Sequence, residues 1–506
     1  MLTDRVTVQF EGEGSGVCDL SWGQAEIWSV MVGTADSLPM GGARVLPPGQ
    51  TVADVADGLS YLMSRHQALR TTLRLDPGGR TRQVVHDHGE ITLEVVDAGD
   101  DDPGQVAAAV AAGYRARPFD YETEWPMRMA VITRGGTATH IAEMICHIAV
   151  DAFGLAALDD DFDRRGDQPG PVTAIPPMEQ AIRQQGAGGR RAHQASMRYF
   201  ERLAAKVPLR QFTPSADPCE PRFWQLTLDS PAGDLAARTL AARLGLSTSP
   251  VLLAAFAVAL TELTTNPVAA LHMVVSNRFR PGFAGSVSPV MQSCPAVIDV
   301  AGVPFTEVIR RAWQSSLGAY KHAYYDLARK DEAWRRAVAE RGAEPDWSVI
   351  FNDRRVRSRD GDADAGLPAL GDELSRTTLT WGERTNMPMN KVFLSLVDVP
   401  GTLSAELWAD SHFLSPADMT GLLRRIESVL IDAASGPPER AVLITPGQPA
   451  GESSVLPTCT SRKDVDSERQ RPPGTGHGQH SRHLAQGARP GRRGCGVGDL
   501  GEHAPD

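Results

Sequence analysis

A histidine and an aspartate four residues apart are the best-placed candidates for chemistry in this chain. His147 follows a short apolar run, and Asp151 precedes a stretch with a helix-compatible pattern. A histidine has a pKa near 6.5, so it can accept a proton at neutral pH, and such catalysis contributes about 100- to 10,000-fold. In the alternative interpretation His147 is an interior histidine and Asp151 caps a helix. The two residues by themselves favour that structural interpretation.

The elements around this pair predict how it would be positioned. Ile141, Ala142, Met144 and Ile145 form a run that is apolar on both faces, as in a strand buried on both sides. The residues after Asp151 resume a helical pattern that ends in the acidic run 159–161. The local prediction is therefore a strand, a tight turn and a helix, with the histidine where the strand ends.

Three later elements are also indicated by pattern. The apolar run 251–260 predicts a buried helix, with Ser249 as its cap and Pro250 at its first position. The segments 391–397 and 403–408 predict a hairpin that turns at residues 400–401. A final amphipathic helix is expected to begin at Ser415.

Length, composition and charge limit the classes of function. The chain has 506 residues, of which 42% are hydrophobic, which is enough for two large lobes. The net charge of −11 argues against a nucleic-acid partner. No apolar run approaches the roughly 20 residues that span a bilayer, and the N-terminus does not resemble a signal peptide. These features predict a cytoplasmic enzyme without a membrane partner.

The cysteines predict neither a metal site nor a thiol nucleophile. Six cysteines are scattered along the chain without a CxxC pair, so no zinc site is expected. Cys146 directly precedes His147, and adjacent residues of a strand point to opposite faces. The two side chains therefore cannot readily form a Cys/His dyad.

The segment 146–152, CHIAVDA, resembles the HHxxxDG signature of condensation domains of nonribosomal peptide synthetases, in the superfamily of chloramphenicol acetyltransferase. The second histidine and the aspartate of the signature are matched by His147 and Asp151. Cys146 replaces the first histidine, and Ala152 replaces the glycine. The resemblance places Phe153 and Gly154 beside the site as well.

Further segments resemble motifs of the same family, in the family's order. They are 19–28, the RHQALRT sequence at 65–71, PFD at 118–120, the strand ending at Asn277 and Arg278, and 321–326. The resemblance extends from about residue 19 to residue 435. It reverses the preference stated above and makes His147 the expected catalytic residue.

The resemblance implies an α/β fold with two chloramphenicol acetyltransferase-like lobes, each a mixed sheet with packed helices, arranged as a V. The expected boundaries are 1–165 for the first lobe, 166–190 for a linker rich in Gly, Pro and Gln, and 191–445 for the second lobe. Residues 446–506 have almost no apolar periodicity, which predicts a disordered tail. A buried carboxylate needs a partner, so Arg278 is expected to form a structural ion pair with Asp151.

The activity implied by the resemblance is acyl or aminoacyl transfer to an amine or hydroxyl nucleophile. The donor would be a thioester on the phosphopantetheine arm of an acyl- or peptidyl-carrier protein that acts in trans, and no cofactor would be bound. Three alternatives share the fold: a CoA-dependent acyltransferase, an epimerising relative, and a catalytically silent recruitment module.

Overall fold

A computed structural model describes residues 2–167, 170–355 and 373–436. The predicted tail, 446–506, lies outside these ranges. The lobe boundaries stay predictions.

Fifteen strands are found in the described part of the chain. They are β1 (Leu2–Glu11), β2 (Gly16–Asp19), β3 (Met40–Val45), β4 (Thr71–Leu75), β5 (Thr81–Val85), β6 (His88–Asp97), β7 (Met127–Arg134), β8 (Thr137–Ile145), β9 (Phe223–Ser230), β10 (Val268–Val275), β11 (Gln292–Asp299), β12 (Val349–Asp353), β13 (Thr378–Thr385), β14 (Val392–Val399) and β15 (Thr402–Asp410).

Eleven α-helices accompany these strands in the same ranges. They are α1 (Trp22–Thr34), α2 (Val52–Arg65), α3 (Pro103–Ala116), α4 (Ala152–Asp163), α5 (Pro177–Gln185), α6 (Ala187–Ala204), α7 (Pro231–Leu244), α8 (Thr248–Thr264), α9 (Phe305–His322), α10 (Leu327–Arg341) and α11 (Pro416–Ser435).

The N-terminal lobe is built on a five-stranded sheet in the order β1-β6-β7-β8-β3. Its strands are antiparallel except for the parallel pair β6 and β7, so the sheet is mixed. Along β8, Ile141 and Ile145 pack into one core with α2 and α4, while Ala142 and Met144 pack into another with α3. The predicted strand, buried on both faces, is confirmed. The N-terminal part of the chain also forms a separate three-stranded sheet in the order β2-β5-β4.

The C-terminal lobe is built on a seven-stranded sheet in the order β11-β10-β12-β14-β15-β9-β13. It is also mixed, because β12 runs parallel to both β10 and β14. Helices α7, α8, α9 and α11 share one large apolar core with this sheet. The predicted hairpin is β14 and β15, which meet at the pair Val399 and Thr402, and α11 begins after its N-cap Ser415 as expected.

The structure corrects the predicted start of α8. The helix begins at Thr248 after the N-cap Ser247, so Pro250 is its third residue. The first turn of a helix has no internal partners for its N–H groups, which is why proline is accepted at several of its positions.

The segment predicted to link the lobes, 166–190, contains all of α5. Two of its polar residues, Gln180 and Gln184, are buried and hydrogen-bonded. Gln184 Oε1 accepts from the backbone N–H of Trp22 at 2.8 Å, and Gln180 Nε2 donates to Ser288 Oγ at 3.1 Å. Buried amides need such partners, so this segment holds both lobes by hydrogen bonds.

Within the described ranges, no single helix is both long and apolar enough to cross a membrane. Helices α7 and α8 meet the length and composition test only as a pair, and this pair is bent by 115°.

Candidate active site

The candidate base lies in a turn between β8 and α4. The turn is held by the N–H of Cys146, which donates to Pro126 O at 2.8 Å, and by the N–H of Ala149, which donates to Cys146 O at 3.0 Å. The N–H of His147 donates to Ser37 O at 3.3 Å. These bonds fix the backbone on both sides of the histidine and so define where its ring lies.

One hydrogen bond determines the tautomer of the His147 ring. Nδ1 lies 2.7 Å from the carbonyl oxygen of Val150. A carbonyl oxygen can only accept, so Nδ1 carries the proton, and Nε2 of the neutral ring has a free lone pair. Burial lowers the pKa of His147 below its usual 6.5, against the opposing effects of the Val150 carbonyl and of Asp151. The half-buried ring is therefore neutral at pH 7, with Nε2 able to accept a proton.

Asp151 caps α4 and binds the other lobe at the same time. Its Oδ1 accepts the N–H of Gly154 at 2.8 Å, as an N-cap does, and also accepts from Arg278 Nη2. Its Oδ2 accepts the N–H of Val290 at 3.3 Å. Among the described residues, the hydrogen-bond partners of this carboxylate are Gly154, Arg278 and Val290, and His147 is not one of them.

Arg278 follows β10 and completes the ion pair with Asp151. The exposed fractions of the two side chains are 10% and 6%, so the pair is shielded from water. Arg278 Nη1 also donates to Ser286 O at 2.6 Å, and its Cζ lies 5.5 Å from the centre of the Phe153 ring. The structure thus brings Phe153, Asp151 and Arg278 together.

The backbone at Ala152 and the packing at Gly154 explain which residues these two positions accept. A Cβ on Gly154 would lie 2.1 Å from Val287 O, so close packing between the lobes requires glycine there. Ala152 is the first residue of α4, and its φ is not positive. Alanine therefore fits the position that the family signature gives to glycine.

Cys146 is a core residue. It is fully buried in a cluster with Ile27, Met31 and Ile148, and its Sγ lies 3.7 Å from Ser37 O. Burial raises the pKa of its thiol to about 12, so it is not a thiolate at neutral pH. Its packing between apolar side chains is consistent with a structural position.

Two further residues support the site: Ser37, which no motif indicated, and Asn277, which the sequence indicated only as part of the segment that contains Arg278. Ser37 accepts the N–H of His147 through its carbonyl oxygen. Asn277 has a positive φ of 56°, and its Nδ2 donates to Val290 O at 3.0 Å and to Ala323 O at 2.6 Å. Asparagine tolerates this left-handed conformation better than most residues, which is the signal that could have identified it. It sets the direction in which Arg278 leaves the sheet.

The geometry agrees with a comparison of the sequence against known families. The model of the condensation domain matches residues 50–336, which is more than half of the chain. The chain belongs to the condensation-domain family. As a condensation domain it is 27% identical over 288 residues to the nonribosomal peptide synthetase kk1B of Curvularia clavata, a match that covers 53% of this chain and 2% of that protein.

Solved structures of condensation domains share its fold. A condensation domain that mediates chain release from the enacyloxin polyketide synthase superposes with a TM-score of 0.65 at 20% identity, covering 84% of each chain. The X-domain from teicoplanin biosynthesis gives a TM-score of 0.63 at 18% identity, covering 84% of this chain and 96% of that one. At these identities the likeness supports the two-lobed mixed α/β fold alone, and the predicted fold class is confirmed.

Proposed function

We propose that this condensation domain transfers an acyl or aminoacyl group from a thioester to an amine or hydroxyl, with His147 as the proton acceptor. The observation that carries the proposal is the hydrogen bond from His147 Nδ1 to the carbonyl of Val150. It leaves Nε2 unprotonated and fixes the plane of the ring, which are the two requirements of a positioned general base.

In this proposal the nucleophile's N–H or O–H proton moves to His147 Nε2 as its nitrogen or oxygen attacks the thioester carbonyl. The carbon–sulfur bond then breaks, and the thiolate leaves with the proton from the imidazolium, so the ring returns to its neutral form. Holding two substrates in line contributes further, since oriented reactions gain about 7–11 kcal/mol from proximity. Asp151 and Arg278 act as positioning residues because they hold the histidine turn and touch neither reactant.

The donor in this proposal is the phosphopantetheine arm of a carrier protein supplied in trans, and the chain itself binds no cofactor. The acceptor is a small-molecule nucleophile, and the proposed reaction belongs to the biosynthesis of an antibiotic in the cytoplasm. Support comes from the family, whose matched relative is a peptide synthetase. The chain spans 2% of that relative's length.

The proposal is tested by incubating the protein with an acyl-loaded carrier and a set of amines and alcohols, followed by mass spectrometry of the product. We expect product with the carrier and none with the matching acyl-CoA. The His147→Ala variant should lose about 100-fold or more of the rate with its fold intact. His88→Ala, which changes a histidine at the exposed start of β6, is the control and should keep full activity.

Other outcomes would replace the proposal. Product formed from acyl-CoA alone would indicate the CoA-dependent alternative. A loss below about tenfold in His147→Ala would exclude general base catalysis by this residue. No product with any donor would favour a recruitment module.

A further inference from the structure

A cavity of about 660 Å³ lies between the C-terminal sheet, α10 and α1. The residues that line it include His272 of β10, Lys330 of α10, Trp347 and the exposed Arg210. Ser29 of α1 borders it on the side of the N-terminal lobe. None of these residues belongs to the site described above.

The charges around this cavity do not cancel. Lys391 and Asp346 neutralise one another, because Lys391 Nζ lies 2.8 Å from Asp346 Oδ2. Lys330 has no ion pair or hydrogen bond with any described residue, and its Nζ lies 5.9 Å from the centre of the Tyr325 ring. Arg210 is exposed and likewise lacks an ion pair within the described ranges. Glu344 also lines the cavity, so Lys330 and Arg210 exceed the remaining carboxylate by one positive charge, and an anion that enters meets this excess.

The floor of the cavity offers a flat apolar surface and one hydrogen-bond acceptor. The rings of His272 and Trp347 lie 5.2 Å apart at 34°. Burial, and after it Lys330, lowers the pKa of His272 to about 3, so the ring is neutral. A neutral imidazole has one ring nitrogen that can accept a hydrogen bond. A ring-bearing ligand with a hydroxyl or amine satisfies both features.

We propose that this cavity binds a small organic acid, with its carboxylate at Lys330 and Arg210 and its ring against Trp347. A carboxylate is preferred because it is a planar anion that can accept hydrogen bonds from ammonium and guanidinium groups, and the surrounding Leu327 and Trp347 favour an organic body.

The cavity is separate from the candidate base. Ser29 of α1 borders the cavity, whereas Ile27, two positions earlier and therefore on another face of the helix, packs with Cys146 and Ile148. The binding of the acid therefore does not rest on the proposed function.

The binding is tested by calorimetric titration of the full chain with 3-hydroxybenzoate, its neutral isostere 3-hydroxybenzamide, and phenyl phosphate. The acid should bind about tenfold or more tightly than the amide, since a charged hydrogen bond is lost in the amide. Lys330→Met should weaken binding of the acid by about the same factor and leave binding of the amide unchanged. Lys321→Met, an exposed lysine of α9, is the matched control and should bind the acid as the unmodified protein does.

Arg210→Ala provides a second variant that cannot disturb the core, because the residue is exposed, and it should also weaken binding of the acid. Equal affinity for acid and amide would overturn the proposal, and so would unchanged binding in both variants. Tighter binding of phenyl phosphate than of the acid would overturn the choice of carboxylate and indicate a phosphate site. His147→Ala should bind the acid normally, so loss of transfer without loss of binding separates the failure of the proposed function from the failure of this site.

Discussion

The backbone of its own turn holds His147 in the tautomer that a general base needs. The hydrogen bond to Val150 spans only three residues, so the turn itself selects the tautomer without a carboxylate partner. In many catalytic histidines an acidic group holds Nδ1 and stabilises the imidazolium. Here Asp151 binds Gly154, Val290 and Arg278, and the neutral carbonyl of Val150 holds Nδ1 of His147 instead.

The pH dependence of transfer should report this environment. A base is active in its unprotonated form, and the pKa of His147 is lowered by burial from 6.5. The acid limb of kcat/KM is therefore expected to have its midpoint below pH 6.5, with a plateau through neutral pH. The profile can be measured with a loaded carrier between pH 5 and 9. An acid limb centred above pH 7 would show that another group controls the rate.

For single residues, the sequence predicted which side chains lie in the site better than it predicted their hydrogen-bond partners. His147, Asp151 and Arg278 could be named because their order along the chain matches a family signature. The partner of Nδ1 could not be named, since it depends on the dihedral angles of a tight turn. Ser37 could not be found at all, because it acts through its main-chain oxygen and any residue supplies one.

Helix α4 is the element on which the site depends, and its first turn packs directly against the second lobe. We expect Gly154→Ala to destabilise the protein, because the added Cβ would meet Val287 O at 2.1 Å. Overpacking of this kind costs about 1–3 kcal/mol, which chemical denaturation can measure. The matched control is Gly113→Ala in α3, where a Cβ meets nothing within 4 Å. Gly154→Ala with unchanged stability would mean that the lobes move apart readily.

The same helix carries a buried acidic pair with a strand of the sheet. Glu143 of β8 shares a hydrogen bond with Asp159 of α4, and Arg44 Nε lies 3.6 Å from Asp159. Burial, followed by the charge of Asp159, raises the pKa of Glu143 from 4.5 to about 8. The sequence did not reveal this pair, because a single acid within an apolar run gives no sign of which helix will cover it.

The raised pKa predicts how stability changes with pH. The folded protein binds a proton at Glu143 more tightly than the unfolded chain, so the free energy of unfolding should fall as pH rises from about 4.5 to 8. Glu143→Gln removes this titration and should flatten that part of the curve in urea titrations at pH 5 and 8.5. Glu383→Gln, on the exposed strand β13, should keep the slope. Persistence of the full slope in Glu143→Gln would place its origin elsewhere.

Across the whole molecule, the contacts that join the lobes connect residues far apart in sequence. Glu26 Oε1 accepts the N–H of Ser293 at 3.2 Å, and Glu26 Oε2 accepts from the hydroxyl of Tyr325 at 3.4 Å. Periodicity could predict β8, the hairpin and α11, since each is encoded locally. It could not predict this pairing, because no local pattern records which distant residue satisfies a buried carboxylate. The pair of Asp151 and Arg278 was accessible only through the family resemblance.

That pair offers the strongest test of how the lobes are held together. Removing Asp151 alone leaves the buried charge of Arg278 with only carbonyl partners such as Ser286 O, and breaking a buried pair in this way costs about 3–5 kcal/mol. The double variant, Asp151→Leu with Arg278→Met, removes both charges and should recover part of that loss, which a double-mutant cycle from denaturation curves would quantify.

Transfer activity should remain low in this double variant even where stability returns, because the carboxylate also caps α4 and holds the turn of His147. Asp151→Asn keeps a side-chain oxygen for the cap but loses the charge, so it should lower the melting temperature as well as the rate. If Asp151→Asn instead slows transfer at an unchanged melting temperature, the carboxylate acts on the histidine or the substrate and does not serve mainly to join the lobes.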